Sequence, residues 1–321
     1  MNWPSTLAPI SSPSYKMAEM VKEMSNGRFL IKIDGEEKLS HKQNLLTMVQ
    51  ENTYQMAHSS SENWKNIDLN TIWFTGVPFG MTTTEQYTWF YYGNGQKYMS
   101  KVYDKLNILS YPGGNLGSLM GGWSREEIKD ISQLKNLQIN TQGIQKEILS
   151  VYGIIAKNIP SSQIKEEYEK GNIDVINGTS PSMDIQLGYH KIAPYYYTSW
   201  DKPAYQMQFL INKKAFEKLP QSYKAILKIA MKTAAYDVYY ENFNSSSKAW
   251  EKIQTEYPNI EVKSFSKEII EKLYQAKEFL FKSYAKENKL FNEIYEDQKI
   301  FLQRVRPLTK LQEYSYIKTT E

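Results

Sequence analysis

The sequence predicts an α/β protein of two lobes joined by β-strands, and three observations carry that expectation. Strand-like and helix-like segments alternate in the first third of the chain and again after Gly122. Between the two series lies a glycine-dense extended stretch from Pro112, six of whose first eleven residues are Gly or Pro, a composition that forbids a long helix. A second extended run, residues 205–212, then carries the chain back to the first lobe. Two crossings imply two lobes with a cleft between them, and glycine-dense strands suit a hinge beside that cleft.

Taken in order, Trp3-Pro4 and the Ser/Pro-rich segment to Ser14 read as a strand end and loop, and residues 15–24 as a helix closed by Asn26-Gly27. Residues 29–33 read as a strand stopped by Asp34-Gly35, Ser40 with Gln43 caps a helix reaching Asn52, and residues 54–58 form another strand. This alternation predicts a parallel sheet covered on both faces. Residues 73–80 read as an apolar strand and turn. Thr82 with Glu85 caps an aromatic helix, interrupted at Gly93-Asn94-Gly95 and resumed over residues 96–106.

A strand at 108–111 leads into the glycine-dense crossing, where Ser124 with Glu127 predicts a helix starting just after Trp123. In the second lobe, strands are expected at 137–140, 173–177 and 195–200, with helices at 144–152, 162–170 and around 183–192. From Phe216 onward the pattern is helical apart from Pro258 and one strand near 260–265. Residues 223–254 read as one very long helix, weakest at Asn242 to Ser247. The final helices, 267–321, carry an apolar stripe of Leu273, Phe279, Phe281, Tyr284, Phe291 and Tyr295, which packs on the lobes or on a partner.

Composition narrows the function. A net charge of +4 over 321 residues, with no basic tract, gives no electrostatic footprint for nucleic acid. The absence of cysteine excludes disulfides, thiolate catalysis and thiolate metal sites. The histidines His41, His58 and His190 lie far apart and match no metal-ligand spacing. There is no Gly-x-Ser-x-Gly elbow, and Gly93-Asn94-Gly95 neither follows a strand nor has the third glycine of a phosphate cradle. No enzyme is expected, and no cofactor.

The motifs carry a family resemblance. Gly121-Gly122-Trp123, the run Gln133-Leu-Lys-Asn-Leu-Gln-Ile-Asn140, Val77-Pro78-Phe79-Gly80-Met81, Gly171-Asn-Ile-Asp174 and Asn212-Lys213 stand in the order found in the solute-binding proteins of TRAP transporters, the DctP type. The resemblance covers nearly the whole chain and is strongest to the α-keto-acid-binding branch. It implies a two-lobed periplasmic binding protein fold with hinge β-strands and a long helix spanning the lobes. The implied division is 1–118 with 208–265 for lobe I, 119–207 for lobe II, and 266–321 for C-terminal helices. It also implies a periplasmic location with an export signal removed upstream, a small-molecule solute, a TRAP membrane permease as partner, and a homodimer through the C-terminal helices. A ligand-sensing or interaction protein on the same scaffold is the alternative.

The resemblance further implies where the solute sits, and here the sequence departs from it. The family's carboxylate-binding arginine is replaced by Asn140, which offers donors and an acceptor but no charge. The Glu-Trp pair of the keto-acid branch is replaced by Asn177-Gly178, a glutamine by Leu119, and a later glutamate falls near Asp201-Lys202. These losses lead to the expectation that no metal is bound. The ligand-binding candidates are Trp3, His58, Phe79, Trp123, Asn140, Asn177, Trp200 and Asn212, a polar uncharged cleft walled by rings. The same rings serve equally well as core. Arg125 and Lys202 are the candidates for a relocated positive charge.

Overall fold

The computed structural model describes residues 1–39, 45–141, 143–159 and 163–319. Its strands are β1 (Met56–Ser60), β2 (Ile108–Asn115), β3 (Gly122–Ser124), β4 (Gln138–Asn140), β5 (Ile155–Lys157), β6 (Val175–Ile176), β7 (Tyr195–Tyr197), β8 (Gln206–Asn212) and β9 (Glu261–Lys263). The α-helices of the first half are α1 (Ser12–Met24), α2 (Leu45–Gln50), α3 (Thr83–Tyr92), α4 (Gly95–Asp104) and α5 (Gly143–Ser150). Those of the second half are α6 (Ile164–Glu169), α7 (Pro181–Leu187), α8 (Lys213–Glu217), α9 (Gln221–Glu256), α10 (Lys267–Glu287), α11 (Lys289–Thr309) and α12 (Ser315–Lys318).

The first lobe is built on the sheet β1–β8–β2, and its central strand β8 is buried along its whole length. The expected parallel sheet is absent here. β8 returns from the second lobe between two strands that run outward, so both of its pairings are antiparallel, with Phe209 opposite His58 on one side and Tyr111 on the other. A register shift between Pro112 and Gly114 bends β2 as it leaves the lobe.

Three further expectations change locally. Residues 29–33 form no strand. The apolar run at 73–80 is the end of a 3₁₀ helix, Leu69–Phe74, followed by a turn. Asp68 caps it by accepting the Asn70 N–H at 2.9 Å, and a short apolar run cannot by its periodicity be told from a strand. The cap expected at Ser124 is not one: Ser124 stays in β3, and Asp130 with Gln133 caps a 3₁₀ helix, Ile131–Leu134. The cap expected at Ser40 and Gln43 lies outside the described residues.

The second lobe carries the sheet β5–β4–β6–β3–β7–β9, with β4 parallel to both β5 and β6. β9 pairs with β7, so residues 261–263 join the second lobe's sheet, whereas the division implied by the resemblance put them in the first lobe. The long helix α9 connects the two halves over 36 residues. Leu227, Ala230, Met231 and Ala234 pack on β8 and α1, whereas Ile253 packs among Trp123, Ile176 and Tyr196. Its expected weak point is a tether. Asn242 Nδ2 donates to the Leu116 carbonyl at 2.6 Å and its Oδ1 accepts from Ser182 Oγ at 3.3 Å, fixing the helix to the crossing and to α7. The C-terminal helices pack on the same chain, with Trp73 set among Phe281, Phe291 and Tyr295.

Trp3 and His58 belong to this scaffold. Trp3 Nε1 donates to His58 Nδ1 at 3.1 Å, and His58 Nε2 lies 2.8 Å from the Gly113 carbonyl. That pairing requires the neutral tautomer with its proton on Nε2, and burial pulls the His58 pKa down to about 3. A group whose folded pKa lies below its unfolded value supports the fold fully above the unfolded value of 6.5, and that support is lost as pH falls towards 3. His58→Gln, which can accept from Trp3 and donate to Gly113, is therefore expected to flatten the loss of thermal stability between pH 6.5 and 4. The difference from wild type should be on the order of 2–3 kcal/mol, read from melting curves at each pH. Equal pH slopes for both proteins would refute the assignment.

Candidate functional site

The parallel strands β4 and β6 end side by side at the lobe boundary. Solutes in open α/β sheets bind outside the carboxyl ends of such strands. Those ends carry Asn140 and Asn177, both half-buried. Asn140 Oδ1 accepts the Ile159 N–H at 3.1 Å, which orients the side chain. Asn177 Nδ2 donates to Gln145 Oε1 at 3.0 Å, and Gln145 Oε1 also accepts from Thr141 Oγ1 at 2.6 Å. These bonds stiffen a polar shelf at the start of α5.

The first lobe faces this shelf with the segment after β1. Ser60 and Ser61 share Thr75 Oγ1 at 2.8 and 2.6 Å, which fixes the turn that presents Glu62. A Cβ added at Gly143, the first residue of α5, would lie 3.6 Å from Glu62 Oε2, so the two lobes meet here. One helical turn further on, Lys65 of the first lobe pairs with Glu147 of α5, and Tyr284 of α10 bonds the same carboxylate. Phe79 completes the wall. Its ring lies 6.0 Å from that of Trp200 and 5.5 Å from that of Tyr274.

The connection into β8 supplies the most unusual group. Asp201 is 1% exposed, and neither carboxylate oxygen has a hydrogen-bond partner of normal geometry. Burial pushes its pKa up to about 6, the charge of Glu62 adds to the rise, and Lys202 with the nearby backbone N–H groups offsets part of it. The Tyr205 hydroxyl faces Ser60 and Glu62, and burial raises its pKa. A buried carboxylate without partners is costly. A carboxylate left in this state suits a hard cation such as sodium or calcium. Among the described residues no three His, Cys, Asp or Glu side chains converge, so any cation there would complete its shell from neutral oxygens.

The sequence-predicted candidates separate into two groups. Phe79, Asn140, Asn177 and Trp200 are half-buried at the lobe boundary. Trp3, His58, Trp123 and Asn212 are buried and engaged in scaffold bonds. Trp123 stacks on Tyr196 at 3.9 Å and donates to Asp184 Oδ2 at 3.0 Å, while Asn212 caps α8 and donates to the Val49 carbonyl at 2.8 Å. Arg125 lies on the Tyr168 ring inside the second lobe, and Lys202 sits beside Asp201 with its ammonium 5.7 Å from the Tyr205 ring. Glu62, Gln145 and Tyr205, which the structure brings to or beside this boundary, are not among the candidates the sequence offered. The run Ser59-Ser60-Ser61-Glu62 straight after a strand was the available signal for the first of them.

The family model for the bacterial extracellular solute-binding proteins of family 7, DctP, matches residues 2–288. A monocarboxylate 2-oxoacid-binding periplasmic protein of Nostoc sp. is 29% identical over 316 residues, covering 98% of this chain and 86% of the relative. The crystal structure of a TRAP periplasmic solute-binding protein from Pseudoalteromonas atlantica, with bound sodium and pyruvate, is 40% identical with a TM-score of 0.96. It covers 100% of this chain and 97% of its own. A second, from Colwellia psychrerythraea with bound calcium and pyruvate, is 39% identical with a TM-score of 0.97, covering 99% and 97%. A third, from Bordetella bronchiseptica, is a mixed-occupancy dimer with copurified calcium and picolinate in one site and the other site apo. It is 28% identical with a TM-score of 0.94, covering 99% and 95%.

Proposed function

We propose, from the premise that this chain belongs to the bacterial extracellular solute-binding proteins of family 7, that it captures a short 2-oxo monocarboxylate such as pyruvate together with a hard cation and delivers it to a TRAP membrane permease. The observation that carries the cation is Asp201, whose two buried oxygens have no hydrogen-bond partner of normal geometry. This reverses the expectation drawn from Asn140 and Asn177. A protein that lacks the family arginine still has to compensate the solute's negative charge, and a divalent cation held by Asp201 keeps one positive charge for that purpose. Asn140 and Asn177 then provide uncharged donors, Phe79 and Trp200 the apolar wall, and Glu62 with Lys65 the contacts that bring the first lobe onto α5.

Binding is the whole of the chemistry. Solute that touches both lobes favours the closed arrangement by its difference in affinity for the two states. Release to the permease requires that difference to be overcome. The periplasm as the place of action and the permease as partner follow from the family. No helix among the described residues is long and apolar enough to cross a membrane.

Isothermal titration of pyruvate into the protein with calcium or sodium, and again after chelation and desalting, tests the proposal. Saturable heat that weakens at least tenfold without the cation is expected. Heat unaffected by cation removal would leave a solute-binding protein but remove Asp201 from the reading. No heat under any condition would reject pyruvate itself.

We also propose a homodimer in which the exposed Phe279, Ile300, Leu308 and Leu311 of the last helices are covered. Light scattering should give twice the 37.5 kDa chain mass, and a Leu311→Asp substitution should return the monomer.

A further inference from the structure

Helix α11 begins where the family model's match ends, at residue 288, yet its last turn reaches the segment that follows Phe79. Arg306 Nε donates to Glu85 Oε1 at 2.6 Å, while its Nη2 donates to Glu85 Oε2 at 2.8 Å and to the Gly80 carbonyl at 2.7 Å. Thr309 Oγ1 donates to Glu85 Oε1 at 3.2 Å. Glu85 is buried and already closes the first turn of α3 by accepting the Thr82 N–H at 2.8 Å. Burial alone would raise its carboxyl, but Arg306 and the Thr82 N–H hold it below the usual range, so the guanidinium meets a carboxylate that stays ionised.

The fork therefore grips both ends of the segment from Gly80 to Glu85. The residue just before that segment is Phe79, whose φ of +60° lies in the left-handed region that a bulky aromatic seldom adopts. A backbone in that state persists only where its surroundings over-determine it. On one side the Gly80 N–H donates to the Val77 carbonyl at 2.9 Å, closing a tight turn, and on the other Arg306 holds the Gly80 carbonyl. Between these two anchors the Phe79 ring is set against Trp200 and Tyr274.

We propose that Arg306 is a positioning residue for the solute site: by fixing the Gly80 carbonyl it holds the Phe79 ring at the cleft wall, and it makes the C-terminal helix part of the binding apparatus. The inference rests on the reading that Phe79 and Trp200 line the solute pocket. It assigns a role in binding to a side chain on α11, which lies past the residues matched by the family model. It also links the solute pocket to the helix end that carries the exposed Leu308 and Leu311, so that whatever covers those residues bears on the cleft through one guanidinium.

A double-mutant cycle on the full chain tests it, with affinity and dissociation rate for pyruvate measured in calcium for wild type, Arg306→Met, Phe79→Ala and the double variant. Arg306→Met is expected to weaken pyruvate binding about fivefold to tenfold and to speed its release by a similar factor. In the Phe79→Ala background the same change should cost less than about twofold, because the ring it positions is gone. Arg306→Lys, which can still reach the Gly80 carbonyl, should recover part of the loss. Equal losses in both backgrounds, or unchanged affinity in folded Arg306→Met protein, would overturn the proposal. If Arg306→Met does not fold, Glu85→Gln replaces it, since it keeps the shape while weakening the fork, and the same non-additivity with Phe79→Ala decides. A wild-type protein silent towards pyruvate would overturn the solute reading and this inference with it. A wild type that binds, with an additive cycle, would overturn this inference alone.

Discussion

Asp201→Ala is expected to lower the affinity for pyruvate in calcium by roughly 100-fold or more, while leaving the protein without solute at least as stable as wild type. The two halves of this expectation have one cause. Both Asp201 oxygens are buried without a hydrogen bond of normal geometry, so in the solute-free protein the carboxylate is a cost that the substitution removes. With cation and solute present, the same carboxylate is, among the described residues, the fully buried acidic group available to hold the cation at the lobe boundary. Calcium should therefore raise the melting temperature of the wild type and leave that of Asp201→Ala unchanged. Titration calorimetry and paired melting curves read both effects. A variant that loses stability without calcium and keeps its affinity would show instead that Asp201 braces the fold.

The second large effect is on the fold. Gly122→Ala should destabilise the second lobe by on the order of 3 kcal/mol or more, seen as a lower and broader melting transition. Gly122 has a φ of +129°, outside the range of other residues, and a Cβ there would stand 2.5 Å from the Ile176 carbonyl oxygen. β3 is clamped on both sides, with Gly122 opposite Tyr197 of β7 and Trp123 opposite Ile176 of β6, so the backbone has no room to yield. The neighbouring crossing shows the same close approach. A Cβ at Gly178 would lie 2.3 Å from the Met120 carbonyl oxygen. A Gly122→Ala protein that melts within a degree of wild type would contradict this account of the crossing.

Much of the architecture was legible because it rests on local rules. The capping box of Thr82 with Glu85, the interruption at Gly93-Asn94-Gly95, and the long helix after Pro220 leave direct marks in the sequence, and the structure has each of them. Strand direction was not legible, because whether β8 pairs parallel or antiparallel depends on the route of the chain through the second lobe and not on the residues of β8 itself. Likewise β9 joins the second lobe only because α9 carries the chain back across.

The position of Asn140 and Asn177 at the ends of strands was legible, and which candidates would be buried in the scaffold was not. Trp123, Trp3, His58 and Asn212 have the chemistry of binding residues, but each finds its partners inside the scaffold. Asp201 has the sequence of an ordinary loop aspartate. Its value lies in being enclosed with no donor of good geometry in reach, a property that belongs to the packed chain alone.

The most direct measurement is a crystal structure grown with pyruvate and calcium. The account predicts solute density at the lobe boundary between Asn140, Asn177 and the Phe79 and Trp200 rings, with an Asp201 oxygen about 2.3–2.6 Å from a bound calcium ion. Pyruvate and calcium held elsewhere, or a boundary filled by side chains at saturating solute, would contradict it.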